Sequence, residues 1–155
     1  MKALVQRVSK ASVSVGDQVV GSIDRGLLVF LGVAMEDSEK DAVYLADKVQ
    51  NLRIFSDEAG KFNLSLLDCQ GELLVISQFT LLADTRKGRR PNFIAAAPPD
   101  KAESLFGRFV ELLKASGLKV ATGVFGGRML VEIYNEGPDH NAGQPGAYSS
   151  TGLTP

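Results

Sequence analysis

Apolar and polar positions alternate over residues 2 to 15, where Leu4, Val8, Val13 and Val15 stand among polar partners. A period of two belongs to a strand that covers a core with one face. Gly16-Asp17 reads as a turn, and residues 18 to 23 as the strand returning from it. Asp24-Arg25-Gly26 reads as a second turn, so two early hairpins are expected. Residues 27 to 33 are apolar without interruption, the pattern of a strand covered on both faces.

Helical spacing follows. Ala42, Leu45, Ala46, Val49 and Leu52 recur at the intervals of one helix stripe. Ser38 and Asp41 in front of them make a capping box, with Asp in place of the longer Glu. Residues 52 to 55 return to extended structure, and residues 57 to 60 turn. Residues 72 to 79 make the best central strand, with Leu73-Leu74-Val75-Ile76 unbroken. Residues 82 to 92 are polar and basic, hence loop. Pro98-Pro99-Asp100 opens a second helix, with Asp100 as N-cap and Glu103 completing its box. Leu105, Phe109, Leu112 and Leu113 form its buried stripe, and Gly117 ends it. Residues 119 to 124 and 128 to 134 read as two more strands. No internal repeat is visible. The tail, residues 141 to 155, is rich in Gly, Ser, Pro and Thr, and its composition predicts no packed element. About seven strands and two main helices in mixed order predict an α+β (mixed α/β) domain with largely antiparallel sheets.

Composition narrows the function. A chain of 155 residues is one domain with room for a sizeable core. Net charge is −1, so a nucleic-acid partner would need a local basic patch rather than a global field. With one cysteine, Cys69, and one histidine, His140, a single chain cannot build a disulfide framework or a Cys/His zinc site. No metal or cofactor is expected. A Ser-His-Asp triad would have to use His140, whose surroundings are loop-like. Residues 1 to 7 alternate and carry charge, unlike a signal peptide. No apolar run approaches the roughly 18–20 residues of a membrane span, so a cytoplasmic protein without membrane contact is expected.

Three segments offer chemistry. Ser77-Gln78-Phe79-Thr80-Leu81 closes an apolar strand, where side chains and N–H groups reach the rim of a sheet. Such N–H groups suit an oxyanion formed in ester hydrolysis. Ser77 or Thr80 would be a nucleophile only with a base to activate it, and none stands nearby in sequence. The plain alternative is that Ser, Gln and Thr finish a strand and satisfy local backbone. Asn135-Glu136-Gly137-Pro138 closes the last apolar run. It is either an ordinary turn or a rigid Gly-Pro pair presenting carbonyls that hold an ammonium group and sense chirality. Thr85-Arg86-Lys87-Gly88-Arg89-Arg90 puts four cations in six residues, which suits phosphate contact or a solvated loop. Arg7 falls in a strand pattern, where a snorkelling surface side chain is the default. Cys69 lies in a polar, turn-like stretch, and Phe125 and Met129 read most simply as core.

These segments occur in a longer ordered set. It contains Ala3-Leu4-Val5-Gln6-Arg7-Val8, Gly26-Leu27-Leu28-Val29, Leu31-Gly32-Val33, Leu52-Arg53-Ile54-Phe55, Ser77 to Leu81, Ala83-Asp84-Thr85, Lys87-Gly88 and Arg90-Pro91 with Phe93. Over residues 1 to 138 the chain resembles the D-aminoacyl-tRNA deacylase family, which frees tRNA from wrongly attached D-amino acids. The resemblance implies that family's fold and a homodimer with active sites at the subunit interface. It implies that Gly137 and Pro138, as a cis pair, reach into the partner's pocket, capture the α-amino group and exclude L side chains. Arg7 resembles the arginine that braces this pair. Ser77, Gln78, Phe79 and Thr80 would line the site of ester cleavage, and Phe125 and Met129 would lie near the terminal adenosine. The 2′-hydroxyl of that adenosine would assist, in place of a histidine base. Glycine mischarged on alanine tRNA would be cleared as well. Arg86, Lys87, Arg89 and Arg90 would meet the RNA.

The chain departs from the family after Pro138. Asp139-His140 and a Gly/Ser/Pro tail stand where Val-Thr and an apolar strand are usual, which divides the chain into a deacylase domain (residues 1–138) and a divergent tail (139–155). Gly127-Arg128 replaces the usual Ala-Asp. Two other functions remain open on sequence: an RNA-binding paralogue with impaired catalysis, and an ordinary serine esterase using Ser77 or Thr80.

Overall fold

Strand β1 (Lys2–Val15) organises the molecule, because four strands of the large sheet pair with it directly. In this computed structural model, residues 1–137 and the backbone of residues 151–153 are described. The N-terminal half of β1 pairs with β3 (Gly26–Gly32), and its C-terminal half with β2 (Gln18–Ile23). Both pairings are antiparallel. β3 pairs in parallel with β6 (Glu72–Ser77), and β6 in parallel with β7 (Val120–Thr122). Strand β8 (Met129–Asn135) returns antiparallel along the C-terminal half of β1. The sheet is therefore mixed, with parallel pairing at its centre where antiparallel neighbours dominate the expectation.

The second hairpin is not formed. Ala11 pairs with Ile23 and Val8 with Gly26, which is one continuous register across Asp24-Arg25. These two residues interrupt the ladder without reversing the chain, so β2 and β3 run in the same direction along β1. The tail also differs from expectation. Its residues 151–153 form a strand, β9 (Thr151–Leu153), paired antiparallel with Ala3, Leu4 and Val5. β3 takes one edge of β1 there and β9 the other, and backbone pairing does not require an apolar sequence.

Helix α1 (Glu39–Asn51) begins at the expected box: Asp41 Oδ2 accepts from the Ser38 N–H at 2.7 Å and from its hydroxyl at 2.9 Å. Those bonds hold the Asp41 carboxyl below the usual carboxylate range. Ala42, Leu45, Ala46 and Val49 are buried, while Leu52 is the C-cap. A small hairpin, β4 (Phe55–Ser56) with β5 (Phe62–Leu64), and one turn of helix, α2 (Leu66–Cys69), follow. Both are too short for a periodic signal. The longest helix, α3 (Pro99–Lys114), starts two residues earlier than expected. Pro98 is the N-cap and no side chain caps it. Proline at the first helical position costs no hydrogen bond, so Asp100 falls inside the first turn, where its charge still favours the helix dipole. The fully buried stripe is Phe106, Phe109, Val110 and Leu113, with Leu105 and Leu112 at its edges.

Two apolar clusters divide the faces of β3 and β6. Leu27, Val29, Leu31, Leu73 and Val75 pack with α1 and α3. Leu28, Leu74 and Ile76 pack instead with Val8, Ala11 and Val13 of β1 and with Met129 and Val131 of β8. Burial on both sides explains the unbroken apolar runs. Among the described residues, no helix is long and apolar enough to cross a membrane.

Candidate active site

β6 ends at Ser77, and the Gln78 N–H donates to the Leu31 carbonyl at 2.8 Å, carrying the pairing one residue further. The chain then tightens into a 3₁₀ turn, Phe79–Leu82, closed by Leu81 N–H to the Gln78 carbonyl at 3.3 Å. Phe79 is thus helical rather than the last strand residue. The N–H groups of Phe79 and Thr80 open this turn, where no intrahelical acceptor is available to them.

Beside the turn lies a cavity of about 540 Å³. Ser77, Gln78 and Phe79 line it together with Phe125 and Met129. Ala96, Ala97 and Ala102 complete the wall with small side chains. Five residues expected at the site from two distant segments therefore share one space. Phe125 packs on Phe106 of α3, ring centroids 6.0 Å apart. Met129 fits because residue 123 is glycine: a Cβ there would lie 2.4 Å from the Met129 sulfur. None of the described residues lining the cavity is titratable. Thr80 is exposed and does not line it; the Gln78 side-chain amide donates to the Thr80 hydroxyl.

Gly137 does not line this cavity. It follows β8, whose last residue, Asn135, pairs with Val8. Arg7 is buried rather than snorkelling at the surface, because two backbone carbonyls take its guanidinium. Its Nε donates to the Glu136 carbonyl at 3.1 Å and its Nη1 to the Ile54 carbonyl at 2.6 Å, and the group lies 5.1 Å from the centroid of the Phe62 ring. Arg25 Nε stands 3.5 Å from the Glu136 carboxylate. Gly137 itself has φ +149°, which only glycine adopts readily, and its carbonyl accepts from Asn135 Nδ2 at 3.4 Å. Across β3, Arg7 faces Leu27 whereas Ser77 faces Leu31. At ~3.3 Å per strand residue, Arg7 and Ser77 are offset by about 13 Å along β3, on the strands at its two sides. Pro138, Asp139 and His140 lie outside the described residues.

The basic segment leaves the site as a closed loop. Asp84 and Asn92 exchange two backbone hydrogen bonds, at 2.8 and 2.9 Å, and hold residues 85 to 91 outside the sheet. Phe93, just beyond, meets Phe79 edge-on with centroids 5.1 Å apart, fixing the loop to the cavity rim. Lys87, Arg89 and Arg90 are exposed. Arg86 is exposed too, but its guanidinium grips Asp84 with two bonds of 2.9 and 2.6 Å. That pair holds the Asp84 carboxyl below its usual range and offsets one of the loop's four charges.

Sequence reasoning missed the alanine wall and the Ile54 carbonyl. The run Ala95-Ala96-Ala97 before a helix was the available signal for the wall, but small residues alone do not announce a cavity. A carbonyl acceptor has no sequence signal.

A family model described as D-Tyr-tRNA(Tyr) deacylase matches residues 4–140. The chain is 62% identical over 138 residues to a D-aminoacyl-tRNA deacylase of Dehalococcoides mccartyi, covering 89% of this chain and 90% of that one. It is 59% identical to the D-aminoacyl-tRNA deacylase of Thermotoga petrophila, again over 138 residues, with 89% and 93% covered. A solved structure titled c-Myc DNA Unwinding Element Binding Protein superposes with a TM-score of 0.88 at 39% identity, over 100% of this chain and 99% of that chain. A structure of a probable eukaryotic D-amino acid tRNA deacylase superposes with a TM-score of 0.83 over 98% and 97% of the two chains. At 16% identity it speaks for the fold alone.

Proposed function

The chain belongs to the D-Tyr-tRNA(Tyr) deacylase family, and we propose that it works as a cytoplasmic proofreading hydrolase that frees tRNA of D-amino acids. The observation that carries this reading is the meeting of Ser77, Gln78 and Phe79 with Phe125 and Met129 around one cavity. The terminal adenosine, with its ester, enters there between Phe125 and Met129. Water attacks the ester carbonyl, and the carbonyl oxygen takes the developing charge toward the N–H groups of Phe79 and Thr80. With no titratable side chain among the described lining residues, the proton is handled on the substrate, by the 2′-hydroxyl beside the ester. The products are free tRNA and D-amino acid.

Recognition of the amino acid falls to Gly137 and Pro138 of a second subunit in a homodimer. The offset along β3 between Ser77 and Arg7, whose guanidinium holds the residue before Gly137, supports action in trans. Carbonyls of the Gly-Pro pair hold the α-ammonium group and leave no room for an L side chain. Glycine has no side chain to reject, so glycine mischarged on alanine tRNA is also removed. The test is turnover of D-Tyr-tRNA and L-Tyr-tRNA at sub-stoichiometric protein: many turnovers of the D ester alone are expected.

A second reading has its own support. The 39%-identical neighbour is titled as a DNA-element binding protein, which favours a nucleic-acid binder of the same fold; the reading adds that its catalysis is impaired. RNA binding without turnover in the same assay selects it.

A further inference from the structure

We propose that a second concavity, next to the cavity described above, is a subsite for the base of the nucleotide preceding the terminal adenosine. This rests on the reading that the substrate is an aminoacyl-RNA. The concavity has a volume of about 420 Å³ and is lined by Ala34, Met35, Asn92, Ile94 and Ala95, with Glu36 and Asp84 at its polar edge. Met35 and Ile94 are 50% and 77% exposed, an unusual outlay of apolar surface on one small patch.

Its position is set by a two-stranded ribbon. Ala34 and Ala96 form a bridge, the Met35 N–H donates to the Ala95 carbonyl at 3.0 Å, and the Ala97 N–H to the Val33 carbonyl at 2.9 Å. Along this ribbon Val33, Ala96 and Ala97 line the first cavity, while Ala34 and Ala95 line the second. Neighbouring residues thus wall adjacent spaces, as successive nucleotides of one strand require. The loop that carries Lys87, Arg89 and Arg90 springs from Asp84 and Asn92, on the edge of the same concavity. Lys101 adds a further cation there, donating to the Met35 carbonyl.

The chemistry fits a base between phosphates. The floor is apolar, its edge carries the Glu36 and Asp84 carboxylates, and the cations stand outside it, on the adjoining loop and at Lys101, where the phosphates on either side of a bound base would run. The Asp84 carboxylate is already taken by Arg86, and Asn92 Oδ1 accepts the Ile94 N–H at 2.9 Å, which fixes Ile94 at the rim. Glu36 supplies a carboxylate acceptor for an exocyclic amino group such as that of cytosine.

The experiment compares binding of the uncharged dinucleotide CpA with that of adenosine, for the natural protein and for Met35→Ala/Ile94→Ala, alongside turnover of D-Tyr-tRNA. Both side chains are exposed, so the variant should keep its melting temperature. CpA is expected to bind the natural protein about five-fold more tightly than adenosine, the order of what covering a modest apolar area on Met35 and Ile94 contributes. The variant is expected to lose that preference. Persistence of the preference in the variant, or its absence from a natural protein that turns over D-Tyr-tRNA, overturns the subsite. A preference present without turnover supports the subsite while the deacylase reading fails. An unchanged preference with an altered oligomeric state makes the patch a protein contact and overturns the proposal.

Discussion

Arg7 and Glu136 are bound to each other twice: Arg7 Nε donates to the Glu136 carbonyl at 3.1 Å, and the Glu136 N–H donates to the Arg7 carbonyl at 2.9 Å. The second bond belongs to the backbone and survives any substitution at residue 7. The first is a charge-assisted bond from a buried guanidinium, and it fixes the residue just before Gly137. Arg7→Ala leaves the Glu136 and Ile54 carbonyls without these donors, at ~1–3 kcal/mol for each unmet group. A loss of about 2–6 kcal/mol in urea unfolding is expected, with a larger fall in deacylation than Arg7→Lys gives. Unchanged activity in Arg7→Ala would show that the Gly137 loop needs no brace.

Action in trans has a direct test. A Gly137→Ala/Pro138→Ala subunit is mixed with a subunit damaged at Ser77 to Thr80. If the pair serves the partner's cavity, one of the two sites in each mixed dimer combines only intact parts. Recovery of up to half the natural activity per mixed dimer is expected. No recovery despite measured subunit exchange means the pair serves its own chain.

Thr80 is exposed and its hydroxyl is engaged by Gln78. No described titratable side chain lines the cavity to activate a hydroxyl. Thr80→Ala is therefore expected to retain most of its kcat on D-Tyr-tRNA. A fall on the order of 10³ with folding intact would make Thr80 the nucleophile.

The basic loop should not act as four equal cations. Arg86 is neutralised in place by Asp84, whereas Lys87, Arg89 and Arg90 are exposed. Each of the latter three, when changed to alanine, is expected to flatten the slope of log affinity for tRNA against log salt by ~0.7–0.9. Arg86→Ala should flatten it less, and Asp84→Asn should raise affinity at low salt. Equal slopes for all variants would leave the loop a solvated one.

Glu72 clips three elements together: its Oε2 accepts from Lys119 Nζ at 2.8 Å and from the Asp24 N–H at 2.8 Å. The Lys119 bond, more than the Asp24 bond, holds its carboxyl below the ordinary value of 4.5. A depressed folded value means that stability is present above 4.5 and is lost as pH falls below it, because the unfolded chain takes up the proton first. Urea midpoints of the natural protein should fall through that window more steeply than those of Glu72→Gln. Parallel curves would assign the acid sensitivity elsewhere.

Much of this protein is determined locally. Periodicity and turn chemistry set β1, β2, β3 and α1 close to their observed limits, since these depend on neighbours a few residues away. The two candidate segments, and the resemblance they carry to a family, were legible for the same reason. Tertiary structure decided the rest. Asp24-Arg25 looks like a hairpin turn, but the unbroken register of β2 and β3 along β1 wins, because one long partner strand satisfies both backbones. Phe79 leaves the strand because pairing with β3 ends at Gln78, and the next carbonyls are met by a 3₁₀ turn. Arg7 reads as a surface cation until the backbone carbonyls of Ile54 and Glu136, far away in sequence, close on it. The cavity, finally, exists only between segments that β8 and α3 bring to the end of β6. Spacing along a chain describes one element at a time, and that space belongs to none of them.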